Sequence, residues 1–388
     1  MSEKVFRLVF LGFVFATAAL TGFMIGPFSI RIPMGLLTLV FLFLSGYKLK
    51  RNLYISLYFI FGVFFFFALL ASGDYISFSL PNYFLGKILL GMVMYWGVIC
   101  HVKNVKDVDW IMYVLFVAAS INWFSSLFQF YKNPIGDIFP LIFNRGEPGE
   151  GFTQSEIVSY YDNAIKSGVP GIFGDRVLNG YFSSFSLFLP FYFLLKRNKK
   201  KIKIGLILLI LLALVVLFMT QQRSCLGISI VLIVLLLRKR IKFKSPLFVI
   251  GSILVLLFIV IQSNTIFSDQ DVGRYNDFSS NGRNKIYSIG IDHISDNLFF
   301  GGPSILSKAI SAEVNGITSP HNFFITAFGY AGLLGGFVIS IIYFIMVFKA
   351  TRTLKNYTIS AVIGCMLLVF LLNSLFHNGG LMEGEGMI

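Results

Sequence analysis

Four short polar strings interrupt a chain that is otherwise mostly apolar. The first, Gly171-Ile172-Phe173-Gly174-Asp175-Arg176-Val177-Leu178-Asn179-Gly180, sets a carboxylate beside a guanidinium. The second, Thr220-Gln221-Gln222-Arg223-Ser224, is squeezed between two apolar runs. The third, Asn281-Gly282-Arg283-Asn284-Lys285, leads through an amphipathic stretch, Ile286–Ile294, into Asn297-Leu298-Phe299-Phe300-Gly301-Gly302-Pro303. The fourth, Ser319-Pro320-His321-Asn322, stands directly before a glycine-rich run. Arginine stays charged and grips phosphate oxygens with a two-pronged fork, so Arg223 suits an anionic group. It equally suits a snorkelling role, with its stem on lipid and its head among headgroups. Histidine exchanges its proton near neutral pH, so His321 suits a general base; a helix cap at the same place is the plainer reading. Asp175 and Arg176 fit either a catalytic pair or a solvated loop pair.

Other patterns fail on their own terms. Asp269-Gln270-Asp271 begins no EF-hand, since its sixth and twelfth positions are Arg274 and Ser280 where glycine and glutamate are required. No P-loop, GxSxG or HExxH string occurs. Cys100, Cys225 and Cys365 are far apart within apolar runs, which is neither a metal spacing nor a disulfide framework.

The elements that must hold these strings are membrane helices. Of 388 residues, 56% are hydrophobic and 13% charged, against about 25% charged in a soluble domain. This excludes a soluble enzyme, a disordered chain and a secreted disulfide scaffold. A bilayer core about 30 Å thick needs about 20 apolar residues per helix. Spans are expected near 6–25, 30–46, 53–71, 84–100, 110–130, 180–195, 204–220, 226–237, 247–262, 323–348 and 359–376. The apolar run after Lys4 and Arg7 continues past Ala16-Thr17-Ala18, which favours an uncleaved first helix over a signal peptide.

Lys and Arg orient the spans. With the N-terminus in the cytoplasm, the inner segments hold 21 of the 32 Lys and Arg but only Glu3, Asp107 and Asp109 of the 18 acidic residues. The net charge of +14 is thus a topology signal, and no nucleic-acid partner is expected. All four polar strings then fall on the outer face. Two outer segments are long, 131–179 and 263–320, and long connections tend to carry function. The chain reads as one membrane domain over 1–388, without the internal repeat that marks many transporters.

Taken in order, the strings resemble a family. His321-Asn322, nine residues, then Gly332-Leu333-Leu334-Gly335 is similar to the HNx9GxxG signature of the O-antigen ligase and Wzy-type O-antigen polymerase superfamily. Thr220–Ser224 resembles its arginine-bearing outer turn. Ser280–Arg283 with Asn297–Pro303 resembles its "GR … fGxGP" segment, and Gly171–Gly180 its GxFGD segment. The resemblance covers residues 170–335. It implies an all-α polytopic fold of 11–12 transmembrane helices, GT-C-like, with two long periplasmic loops, in a bacterial inner membrane. It implies glycosyl transfer at the periplasmic face from an undecaprenyl-pyrophosphate-linked glycan. In that reading His321, with Asp175 second, is catalytic. Arg223, Arg283 and Arg176 bind pyrophosphate, Asn322 and Gln222 bind sugar, and no metal or cofactor takes part. Polymerase is the favoured activity, ligase the alternative, and a lipid-linked glycan flippase or transporter the remote one. A chain-length regulator and a separate flippase are the implied partners beside the bilayer itself.

Overall fold

The computed structural model describes residues 2–20, 23–25, 28–48, 52–73, 88–133, 135–136, 138, 168–238, 281–313, 320, 322–355 and 357–376, without the side chains of 2, 24, 25, 28 and 281–284. Within them the helices are α1 (Ser2–Ala19), α2 (Arg31–Leu44), α3 (Leu53–Ala71), α4 (Leu90–His101), α5 (Val105–Phe130), α6 (Arg176–Ser186), α7 (Leu189–Lys196), α8 (Lys200–Met219), α9 (Arg223–Leu237), α10 (Asn281–Asp296), α11 (Pro303–Glu313), α12 (Phe323–Thr353) and α13 (Ile359–Asn373). A 3₁₀ turn, Gly171–Phe173, leads into α6. The β structure described is one antiparallel pairing of Met24–Ile25 with Phe28–Ser29.

The protein is a polytopic helical membrane protein. Five stretches, namely α3, α5, α6 with α7, α8 and α12, are long and apolar enough to cross a bilayer. α2, α4, α9 and α13 are shorter apolar helices. Ten of the eleven expected spans coincide with described helices, and the span expected at 247–262 lies outside the described residues. Large apolar side chains such as Phe59, Phe67, Leu208, Val231 and Phe344 stand about half exposed. In water that would be a liability; here they are the lipid face.

The span expected at 180–195 starts earlier, at Arg176, and breaks at Leu187–Phe188. Pro190 causes the break: it has no N–H to donate to the Ser186 carbonyl one turn back. Helix starts follow side-chain caps. Asn52, Asn104, Asp175, Asn322 and Thr358 each accept from backbone N–H groups in their first turn, and such caps contribute about 1 kcal/mol each.

Helices α1, α2 and α4–α9 share one apolar core with α13, built around Trp123, Phe10, Phe188, Tyr192 and Leu217. A second core joins α3, α10, α11 and α12 around Phe61, Leu306, Phe323 and Tyr343. Helix α13 packs on α6, α7, α9 and α12, so it is the seam between the two.

The two ends of the bundle differ in chemistry. At one end Arg7 reaches Asp107 at 2.8 Å and Glu3 at 3.1 Å, Lys103 meets Glu3 at 2.6 Å, and Lys196 pairs with Asp109. Arg238 donates to the Leu354 carbonyl at the same end. The described parts of the four polar strings gather at the other end.

Candidate functional site

The segment before α6 and the turn between α8 and α9 form one unit. Val169 N–H donates to Met219 O at 3.1 Å. A Cβ built on Gly168 would lie 2.5 Å from Thr220 O and 3.4 Å from the Arg176 Cδ, so the Arg176 stem runs beside the Thr220 turn. A Cβ on Gly180 would strike Gln222 Cγ at 2.5 Å. These close approaches need glycine at both positions, and they bring two strings separated by a whole helix into contact. The turn is tight: Gln221 has φ 55, a left-handed conformation costing a non-glycine residue about 1–2 kcal/mol. Strain of that kind collects at functional positions. Gln222 is buried, and Arg223, half-buried, is the first residue of α9.

Beneath this unit lies a polar network. Asn122 Nδ2 donates to Asn179 Oδ1 at 2.7 Å and Ser183 Oγ at 3.3 Å. Its Oδ1 accepts from Ile172 N–H at 3.1 Å. Asn179 Nδ2 donates to Val169 O at 2.8 Å and Ser126 Oγ at 3.1 Å. Gln129 closes a ring with Gly171, accepting from its N–H at 2.8 Å and donating to its carbonyl at 3.0 Å. Asn122, Gln129 and Asn179 are fully buried, so α5 holds the 168–180 segment by side-chain amides. Asp175 is exposed, and its Oδ1 accepts from Val177 and Leu178 N–H groups to start α6.

The start of α12 is joined to this unit through the end of α13. Phe323 N–H donates to Ser374 O at 2.9 Å, and Asn322 Nδ2 donates to Leu375 O at 3.2 Å. Asn322 Oδ1 accepts from Phe324 and Ile325 N–H groups, the cap of α12. One residue earlier in α13, Asn373 Nδ2 donates to Ser184 Oγ at 3.4 Å. Ser184 in turn bonds Ser229 Oγ at 2.7 Å and Cys225 O at 3.3 Å, in the helix that Arg223 begins. Residues 373–375 therefore bracket Arg223 and Asn322 to one end of the bundle. His321 lies outside the described residues, between Pro320 and Asn322 that flank it.

Helices α10 and α11 dock on α12 by a backbone exchange. Helix α12 is interrupted at Gly332, with φ 66 and ψ −172. Leu333 N–H, whose helical partner would be Gly329 O, donates instead to Leu298 O at 2.7 Å. The released Gly329 carbonyl accepts from Gly302 N–H at 2.8 Å. Only glycine fits: a Cβ at Gly332 would stand 2.0 Å from Phe299 O, and one at Gly301 (φ 68) 2.7 Å from Gly329 O. The outer segment expected at 263–320 is thus a docked helical pair over its described part. Gly290 faces Ile325 and Pro320, so α10 lies along the first turns of α12 with Arg283, whose side chain is not described, about two turns before that contact. His293 on α10 is buried beside Gly329. Burial holds its imidazole below the ordinary histidine pKa, against the pull of the Gly329 carbonyl and Asp296.

The arrangement assembles Gln222, Arg223, Arg176 and Asp175 in one group and Asn322 in a second, with the α13 bracket between. Asn122, Gln129, Asn179, Ser184 and Asn373 were missed in the sequence. Their signal was available, since buried amides inside apolar runs are costly unless used.

Residues 208–340 match the family model described as O-antigen ligase. Over that stretch the chain is similar to the O-antigen polymerase/ligase superfamily. The matched stretch runs from within α8 through the Arg223 turn, α10 and α11 to beyond the Gly332 interruption. No curated protein matches the chain. The match supports an O-antigen polymerase or ligase type of function, a membrane glycosyltransferase activity in the broad sense. It takes in both the docked pair and the arginine turn.

Proposed function

We propose that this protein polymerises oligosaccharide repeat units carried on undecaprenyl pyrophosphate, by glycosyl transfer at the periplasmic face of the inner membrane. The observation that carries this reading is the gathering of the 168–180 segment, the Thr220–Arg223 turn and the start of α12 at the end of the bundle opposite its ion-paired basic end. Under the positive-inside rule that end faces outward.

In the reaction an acceptor hydroxyl attacks the anomeric carbon of the donor sugar. The bond from that carbon to the pyrophosphate oxygen breaks, and a glycosidic bond forms. His321 takes the hydroxyl proton, a contribution of about 10²–10⁴-fold, with Asp175 as the second candidate. Arg223, Arg283 and Arg176 stabilise the charge gathering on the departing pyrophosphate. One well-placed donor of that kind is worth about 3–4 kcal/mol. Asn322 and Gln222 contact sugar, in a GT-C-like scaffold that needs no metal. A chain-length regulator and a flippase are its proposed partners.

Ligase activity is the second reading, favoured by the description of the matched family itself. A glycan ladder separates the two. Deletion of the gene should leave core capped by a single repeat unit, and only the wild-type chain, not His321→Ala or Arg223→Ala at equal protein level, should restore the ladder. Accumulated lipid-linked polymer with a bare core would establish the ligase instead. An unchanged ladder would remove both readings.

A further inference from the structure

We propose that the tip of the α10–α11 pair, Leu298-Phe299-Phe300, is embedded in the acyl layer of the outer leaflet, so that this segment of an outer loop is a membrane-inserted hairpin. This inference does not depend on which reaction the site performs.

Depth is set by α12. That helix has 31 residues, about 46 Å at 1.5 Å per residue, whereas the hydrocarbon core takes about 20. Its basic end, with Lys349 and Arg352, must lie at the headgroup level on one side. Counting about 20 residues back from Phe348 puts the opposite hydrocarbon boundary at Gly329, one turn before the Gly332 interruption. The tip is tied to this level by two backbone bonds, Gly302 N–H to Gly329 O and Leu333 N–H to Leu298 O. Phe299 and Phe300 are 68% and 55% exposed, although they belong to a loop that composition alone would place in water. Just below on α12, Leu334 and Phe337 are also about half exposed, so the outward apolar surface of the span continues into the tip. Charge agrees: no charged residue occurs from Asn297 to Ser307, and the run is bounded by Asp296 and Lys308. Two aromatic rings open to water at the edge of a bilayer would forgo favourable burial that lies within reach. The acyl layer is the occupant that this depth provides.

The test is quenching of a small environment-sensitive fluorophore on single cysteines in the full chain, reconstituted in liposomes. Labels at Phe299→Cys and Phe300→Cys should be quenched several-fold more by doxyl groups on the lipid acyl chains than by aqueous iodide. Labels at Ser288→Cys and Lys308→Cys, both exposed on the helical pair, should show the reverse. The native cysteines are buried, and the labelled wild-type chain gives the background. Should either cysteine variant fail to fold, Phe299→Trp keeps an aromatic ring at the tip, and its added emission should be quenched by brominated lipids. Iodide quenching at 299 and 300 equal to that at 288, or added tryptophan emission indifferent to brominated lipid, would overturn the proposal.

Discussion

Where Arg7, Lys103 and Lys196 stand, helices are joined by ion pairs to Glu3, Asp107 and Asp109. At the opposite end the joining is done by amides and hydroxyls, Asn122 to Asn179, Gln129 to Gly171, Asn373 to Ser184, Asn322 to Leu375, and by glycine backbones in direct contact. The pairs of Glu3 are largely exposed; such pairs are screened by salt and tolerant of geometry, and contribute little. Buried amide networks are directional, and leaving one member unpaired costs about 1–3 kcal/mol. The contrast teaches that the basic end tolerates small shifts of its helices, whereas the other end is built to hold particular backbone segments in one position.

The sharpest way to break this contrast is at Gly332. Gly332→Ala should cause the largest loss of folded protein, because its Cβ would overlap the Phe299 carbonyl in a left-handed backbone. Gly205→Ala, inside α8 with nothing within 4 Å, should be neutral or stabilise by about 1 kcal/mol. Thermal melts in detergent compare them, and equal melting would refute the exchange described for α12. Next comes Asn179→Ala, expected to cost about 2 kcal/mol with little response to salt. Arg7→Met should cost about 1–2 kcal/mol, and the cost should shrink as salt is raised. Parallel salt curves for the two variants would erase the distinction between the ends. Smallest is Gln221→Gly, expected to stabilise by about 1 kcal/mol by relieving the positive φ while retaining activity. Lost activity at raised stability would mean that the Gln221 side chain itself is used.

Much of the fold was legible because hydropathy and Lys/Arg distribution are sums over many residues. The positions of α3, α5, α8, α12 and α13 follow directly from their apolar runs. Parts of the site were legible as strings, since Thr220–Arg223 and Gly171–Gly180 each break an apolar pattern. What could not be read is how strings distant in the chain touch. Nothing near Gly332 announces that its dihedral angles are imposed by Leu298 and Gly302, about thirty residues earlier. The break at Pro190 is invisible to an apolar count, which is blind to a missing N–H.

The exchanged bonds at Gly329 and Leu333 also constrain how the molecule is made. The α10–α11 pair leaves the ribosome before α12, the helix to which it is bonded. Until α12 emerges, the Leu298 carbonyl and the Gly302 N–H lack the partners that they hold on that helix. The exchange at Gly332 can therefore close only after the pair and the helix have both been synthesised, which makes it a late contact in the life of the chain.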